Sequence, residues 1–181
     1  FRGDSTRAFY FYCVKKQPML LRYLPRQLAG AALYLLHFVS KTQFKEQFYS
    51  FLRGVRGTNA MLAAFWRDSE NRIEPWYRAQ CEPEDLVISA SPEFLLTPIC
   101  AQLGIRPPIA SRVDPLTGRY EGENCKGAEK VLRYRAAFQN EVIEEFYSDS
   151  HSDAPLAQLA KQSFLVYKGS LMPWNATPKN H

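Results

Sequence analysis

Short apolar runs alternate with helix-like segments along the second half of the chain, and this pattern constrains the fold more than any other feature. Residues 85–89 and 109–113 have the composition of buried strands. Residues 92–103 between them have a helical pattern, and Gly104 follows at the position where helices commonly end. Further strands are predicted near 145–148 and 164–167. Strands that alternate with helices indicate an α/β fold built on a parallel sheet.

The first part of the chain, residues 5–66, has a helical pattern instead. Asp4 or Ser5 is the predicted N-cap of a helix over residues 6–16, Thr42 of a helix over 43–53, and Asn59 of a helix that ends at Trp66. Aromatic side chains recur at helical spacing at Phe44, Phe48 and Phe51. We interpret this stripe as packing core rather than as a platform for stacked bases, so no nucleic-acid partner is expected.

Charge is divided unevenly between the two parts of the chain. Residues 1–78 carry 13 Lys and Arg against 5 Asp and Glu, whereas residues 79–181 carry 10 against 13. A basic part joined to a mildly acidic part suggests two modules. The basic module could face an anionic small molecule or a membrane surface, or it could be an ordinary solvated helix face.

Composition excludes several classes of protein. The chain is 46% hydrophobic and 14% aromatic, which is enough for a core and argues against a disordered chain. The four cysteines contain no Cys-x-x-Cys pair, so a disulfide scaffold or a Cys-ligated zinc site is not expected. Reduced cysteines favour a cytoplasmic location.

Polar residues lie at the junctions between predicted strands and helices. They are Ser89, Lys126, Asp149 and Asp153. Ligands of open α/β sheets bind outside the carboxyl ends of the strands. Each residue has a simpler explanation alone: Ser89 as a helix cap, Lys126 as a surface lysine, the two aspartates as a cap and a surface charge. Together they form a set suited to a phosphoryl group and Mg²⁺.

Three segments resemble the haloacid dehalogenase (HAD) superfamily, specifically its phosphoserine-phosphatase-like branch, HAD subfamily IB. They are Val-Ile-Ser-Ala-Ser-Pro-Glu-Phe at 87–94, Asn-Cys-Lys-Gly-Ala-Glu-Lys at 124–130, and Phe-Tyr-Ser-Asp-Ser-His-Ser-Asp-Ala-Pro-Leu at 146–156. They stand for the second, third and fourth motifs of the superfamily. The resemblance implies Mg²⁺-dependent hydrolysis of a phosphorylated small-molecule substrate through an aspartyl-phosphate.

The resemblance also implies a role for each site residue. Ser89 would hydrogen-bond the phosphoryl oxygens, helped by the backbone N–H of Ala90. Lys126 would neutralise charge on the nucleophile and the phosphate. Asp149 would bind Mg²⁺, and Asp153 would support the metal through water. We expect these residues to converge in one cleft.

The superfamily's first motif, Asp-x-Asp-Gly-Thr, has no counterpart in the sequence, although it would carry the nucleophile and the general acid. Asp4 does not replace it, because no second Asp stands two residues away. We therefore expect that the sequence is truncated at its N-terminus and that the truncation removes the first motif. The implied fold is a Rossmann-like three-layer core that lacks its central first strand, with an all-helical cap. The predicted domains are a core remnant (1–7), the helical cap (8–78), the α/β core (79–174) and a loose tail (175–181).

Two alternatives remain open at the level of the sequence. A truncated chain could be a noncatalytic protein that binds phosphate or a partner. The basic cap with its apolar segment, residues 20–39, could instead meet a phospholipid head group at a membrane surface, and head-group phosphate would then be the substrate class. An amphipathic helix packed in an ordinary cap explains the same residues.

Overall fold

The structure is a computed structural model that describes residues 1–139 and 141–175. Most of the predicted tail, residues 176–181, lies outside them. The chain has a mixed α/β fold with a helical first part, as the pattern predicted. It divides into two compact units, Phe1–Asn124 and Cys125–His181. The predicted domain boundaries stay predictions.

The first unit contains six α-helices and two strands within the described residues. They are α1 (Ser5–Lys16), α2 (Leu24–Leu35), α3 (Lys41–Tyr49), α4 (Thr58–Asp68), α5 (Pro75–Gln80), β1 (Ile88–Pro92), α6 (Glu93–Leu103) and β2 (Ile109–Ser111). Short 3-10 turns connect several of them, at Pro18–Tyr23, Ser50–Gly54 and Glu70–Arg72. The strands β1 and β2 pair in parallel, with Ser89 opposite Ala110.

Local capping chemistry explains where these helices begin. Asp4 caps α1, because its carboxylate accepts a hydrogen bond from the backbone N–H of Arg7 at 2.9 Å. The cap predicted at Thr42 is wrong. Ser40 caps α3 instead, in a reciprocal capping box with Gln43. The cap predicted at Asn59 is also wrong, because α4 begins after Gly57, whose φ of 67° favours glycine.

Aromatic and aliphatic side chains from helices and strands form one core in the first unit. Its most deeply buried members are Phe9, Cys13, Leu20, Phe51, Phe65 and Leu95. The indole N–H of Trp66 donates to the carbonyl of Leu95 at 2.7 Å and so ties α4 to α6. The predicted aromatic stripe contributes to this packing: Phe51 is buried and Phe48 packs against the core.

The second unit is a small α/β module. Its elements are α7 (Ala128–Phe138), β3 (Ile143–Ser148), the 3-10 turn His151–Asp153, α8 (Ala154–Ala157), β4 (Ala160–Tyr167) and β5 (Ser170–Pro173). β3 and β4 run parallel, with Ser148 opposite Leu165, and β5 returns antiparallel to β4. The predicted strands near 145–148 and 164–167 are confirmed, whereas β5 has no counterpart in the prediction. The missing central strand stays a prediction.

A search of the described residues for a helix that could cross a bilayer finds none with the length and apolar composition required.

Candidate functional site

Residues at the carboxyl end of β3 form a buried polar cluster in the second unit. The ammonium of Lys130 lies 2.7 Å from Oδ2 of Asp153, and both side chains are about nine-tenths buried. The hydroxyl of Ser148 donates to the same oxygen at 2.8 Å. A buried carboxylate requires a positive partner and hydrogen bonds, and Asp153 has both.

The chain positions this cluster through three neighbouring elements. Lys130 lies in the first turn of α7, on the inward face that Tyr134 shares one turn later. Ser148 is the last residue of β3. Asp153 ends the 3-10 turn that Ser150 caps, since the Ser150 hydroxyl accepts the N–H of Ser152 at 3.2 Å. The strand, turn and helix thus hold a fixed ammonium against a fixed carboxylate.

The structure brings Lys130 to Asp153, one member of the predicted acid pair. Lys126 is exposed and precedes Gly127, the residue before α7. Asp149 directly follows β3 and exposes its carboxylate, while Asp153 faces inward. Sequence reasoning missed Lys130. Its four-residue spacing to Tyr134 on a helix was the signal that could have identified an inward position.

The buried thiol of Cys125 lies close to this cluster. Burial raises its pKa above the ordinary value, and the positive charges of Arg133 and Lys130 offset part of that rise. The thiol is therefore protonated at neutral pH and acts as a small apolar side chain.

A second polar group surrounds β1 in the first unit. The Ser89 hydroxyl accepts the backbone N–H of Ser91 at 3.1 Å, so Ser89 forms a local turn. It does not cap α6, because the N-cap of that helix is Pro92. The Ser91 hydroxyl lies 3.1 Å from that of Ser5, at the start of α1.

Lys45 of α3 is a cation beside the middle of β1, and sequence reasoning missed it. Its ammonium donates to the carbonyl of Ala90 at 2.9 Å and to the side-chain oxygen of Asn124 at 2.8 Å. The hydroxyl of Ser111 donates to the same two oxygens. Hydroxyls and an ammonium therefore surround the predicted phosphate-binding residues Ser89 and Ala90. Nothing in the sequence pattern of α3 distinguishes Lys45 from a surface lysine.

The donor set available for a metal is small. Within residues 1–139 and 141–175, no cluster of three or more His, Cys, Asp or Glu side chains could hold an ion. Asp149 offers an exposed carboxylate. Asp153 lies four residues later, and its Oδ2 accepts a hydrogen bond from Lys130. Two carboxylates fit Mg²⁺ in kind, because this ion commonly takes one or two protein oxygens together with waters and substrate phosphate.

Comparisons with known proteins place the chain in a family. A 95-residue segment is 33% identical to a histidinol-phosphatase of Neisseria meningitidis serogroup C, covering 46% of this chain and 43% of that protein. A 91-residue segment is 26% identical to Protein CicA of Caulobacter vibrioides, covering 46% of this chain and 41% of that protein. The chain thus spans less than half the length of the curated relatives it matches. No solved structure matches. The family model for haloacid dehalogenase-like hydrolases matches residues 1–158, and the chain therefore belongs to that family.

Proposed function

We propose that the whole protein is a Mg²⁺-dependent phosphomonoester hydrolase of the phosphoserine-phosphatase-like branch. Its reaction passes through an aspartyl-phosphate on a carboxylate of the superfamily's first motif, which residues 1–181 do not contain. The observation that carries the proposal is the buried Lys130–Asp153 pair beside the exposed Asp149. The ammonium and the two carboxylates at this strand end are groups that stabilise the charge of a phosphoryl group and its metal ion.

Lys130 takes the role that the sequence suggested for Lys126. An ammonium held by Asp153 and shielded from bulk water keeps one position and needs no reorganisation when negative charge develops nearby. Asp153 orients Lys130, and Ser148 orients Asp153 through its 2.8 Å hydrogen bond. An exposed lysine such as Lys126 would lose most of its electrostatic effect to solvent screening.

Asp149 and Asp153 would hold Mg²⁺, Asp149 directly and Asp153 through water. Bound Mg²⁺ would neutralise charge on the phosphoryl oxygens and on the attacking carboxylate. The residues of the chain supply the rest: Asp149 presents a hard oxygen ligand, and Lys130 holds Asp153 in place through their 2.7 Å contact.

Ser89 and the N–H of Ala90 bind the phosphoryl oxygens in this proposal. The Ser89 hydroxyl accepts a bond from Ser91 and keeps its own proton for an acceptor. Lys45 places a positive charge beside the carbonyl of Ala90, which strengthens the attraction of this part of β1 for an anion. The substrate is a phosphorylated small molecule, in line with the name of the Neisseria relative, a histidinol-phosphatase. A cytoplasmic location stays a prediction.

A turnover assay with a generic aryl phosphate tests the proposal. The protein to assay carries a strand ending in Asp-x-Asp-Gly-Thr ahead of Phe1, and the 181-residue chain is assayed beside it. We expect Mg²⁺-dependent hydrolysis that EDTA removes and that Asp149→Asn reduces about a hundredfold or more. Glu144→Gln, on the same strand and exposed, is the matched carboxylate control. Phosphate binding without turnover by the extended protein would favour the noncatalytic alternative.

A further inference from the structure

Helix α2 packs against the rest of the first unit through a glutamine and a glycine. Gln27 is buried: its side-chain oxygen accepts the hydroxyl of Tyr10 at 2.8 Å, and its amide donates to the carbonyl of Phe48 at 2.8 Å. Gly30 lies so close to Gln47 that an added Cβ would meet the Gln47 Cβ at 2.5 Å. A helix normally buries its apolar stripe, and α2 instead buries an amide and a glycine.

The leucines of α2 face the solvent. Leu24, Leu28 and Leu35 recur at the spacing that places them on one stripe of the helix, and all three are exposed. The same segment exposes further large apolar side chains, at Met19, Leu21, Leu33, Leu36 and Phe38. Soluble proteins rarely leave so many adjacent apolar groups in water unless another surface covers them. We call residues 19–38 the α2 surface.

The sequence segment that contains the α2 surface has charges of one sign. Between residues 5 and 45 the sequence contains seven Lys and Arg and no Asp or Glu. Two of these cations, Arg22 and Arg26, lie within the α2 surface and are exposed. Apolar side chains with a cationic border match an anionic lipid surface, where leucines enter the acyl boundary and arginines meet the head groups.

We propose that the α2 surface docks on an anionic lipid bilayer. A second copy of the chain is the less suitable occupant, because two such surfaces would bring like charges together without an acidic partner. The proposal does not rest on the phosphatase activity proposed above, and its test measures binding alone.

Vesicle flotation with the 181-residue chain tests the proposal. The probes are vesicles of phosphatidylcholine alone and of phosphatidylcholine mixed equally with phosphatidylglycerol. We expect binding to the mixed vesicles only, and weakening as salt is raised. Replacing Leu28 and Leu35 together by Glu should weaken binding at least about tenfold, because the apolar contact is lost and negative charge is added. Arg22→Gln should weaken it about fivefold.

Leu132→Glu is the matched control. Leu132 is 63% exposed on α7 and Leu28 is 61% exposed on α2, so Leu132→Glu is compared with Leu28→Glu alone, and each adds one carboxylate at an exposed helical leucine. The control should bind the mixed vesicles as the unchanged chain does. Equal binding to both kinds of vesicle, or an equal loss with Leu132→Glu, would overturn the proposal. So would a dimer in sedimentation that the α2 replacements dissociate while no vesicle binding occurs.

Discussion

Removing one member of the buried Lys130–Asp153 pair should destabilise the second unit strongly. Asp153→Asn leaves the Lys130 ammonium without its carboxylate in a site that excludes water. Lys130→Met leaves the Asp153 carboxylate with the Ser148 hydroxyl as its remaining hydrogen-bond donor among the contacts described above. Breaking a buried ion pair from one side costs about 3–5 kcal/mol, because an uncompensated charge remains. This is a large part of a domain stability of about 5–15 kcal/mol.

The burial of the Lys130–Asp153 pair explains why the free-energy cost of breaking it is large. The two side chains are 9% and 10% exposed and their charged atoms lie 2.7 Å apart. The pair Lys161–Glu144 has the same separation, but its side chains are 60% and 69% exposed. An exposed pair contributes at most about 1 kcal/mol. Burial rather than distance therefore sets the difference between the two pairs.

Urea unfolding followed by the indole NMR signal of Trp174 and by far-UV circular dichroism measures the effect. Trp174 belongs to the second unit and contacts Phe146 and His151. We expect Asp153→Asn to lower the free energy of unfolding by about 3 kcal/mol or more, and Glu144→Gln by less than about 1 kcal/mol. The double variant Lys130→Met with Asp153→Leu should recover much of the loss. Equal effects of Asp153→Asn and Glu144→Gln would refute the reasoning.

Three further predictions concern the first unit. Tyr12→Phe should raise the pKa of Asp68 toward its ordinary value in an NMR titration, because the 2.7 Å hydrogen bond from Tyr12 is the largest cause of the lowered pKa. Because the pKa of Asp68 is lowered in the folded protein, its contribution to stability is present above the ordinary pKa and is lost as pH falls through the lowered pKa. Iodoacetamide at mildly alkaline pH should label Cys81 before Cys13, as mass spectrometry of the peptides would show, because burial raises the pKa of Cys13 to about 12 and also blocks access. Gly118→Ala should lower the midpoint of thermal unfolding, since φ is 73° and the new Cβ would lie 2.4 Å from a backbone oxygen; an unchanged midpoint would contradict the described turn.

The sequence was informative wherever periodicity or backbone chemistry acts locally. Gly104 ends α6 in the left-handed conformation, with φ of 70°, as its position predicted. The strand expected near 109–113 is present as Ile109–Ser111, and an isolated bridge joins Val113 to Tyr120 just beyond it. These features depend on a few neighbouring residues, so a single sequence is sufficient to predict them.

The features that the sequence did not predict depend on contacts between distant residues or on a choice between two possible N-caps. Ser40 and Thr42 are both good N-caps, and the Gln43 side chain, which completes a capping box only with Ser40, decides between them. Lys126 and Lys130 are the same residue type one helical turn apart. Only the position of Asp153 in the fold shows which of them is buried. The exposed leucines of α2 are the opposite of what the helical pattern favours, because Gln27 finds its partners on Tyr10 and Phe48.

The role of Lys130 is the central claim, and a comparison of two lysine variants tests it most directly. The measurement is Mg²⁺-dependent turnover of an aryl phosphate by the protein that carries Asp-x-Asp-Gly-Thr ahead of Phe1, with Lys130→Arg and with Lys126→Met. Lys130→Arg keeps a positive charge beside Asp153, but the guanidinium does not place that charge where the ammonium of Lys130 lies. We expect Lys130→Arg to reduce kcat about a hundredfold more than Lys126→Met does, with both proteins folded. Loss of turnover with Lys126→Met while Lys130→Arg retains it would contradict the account.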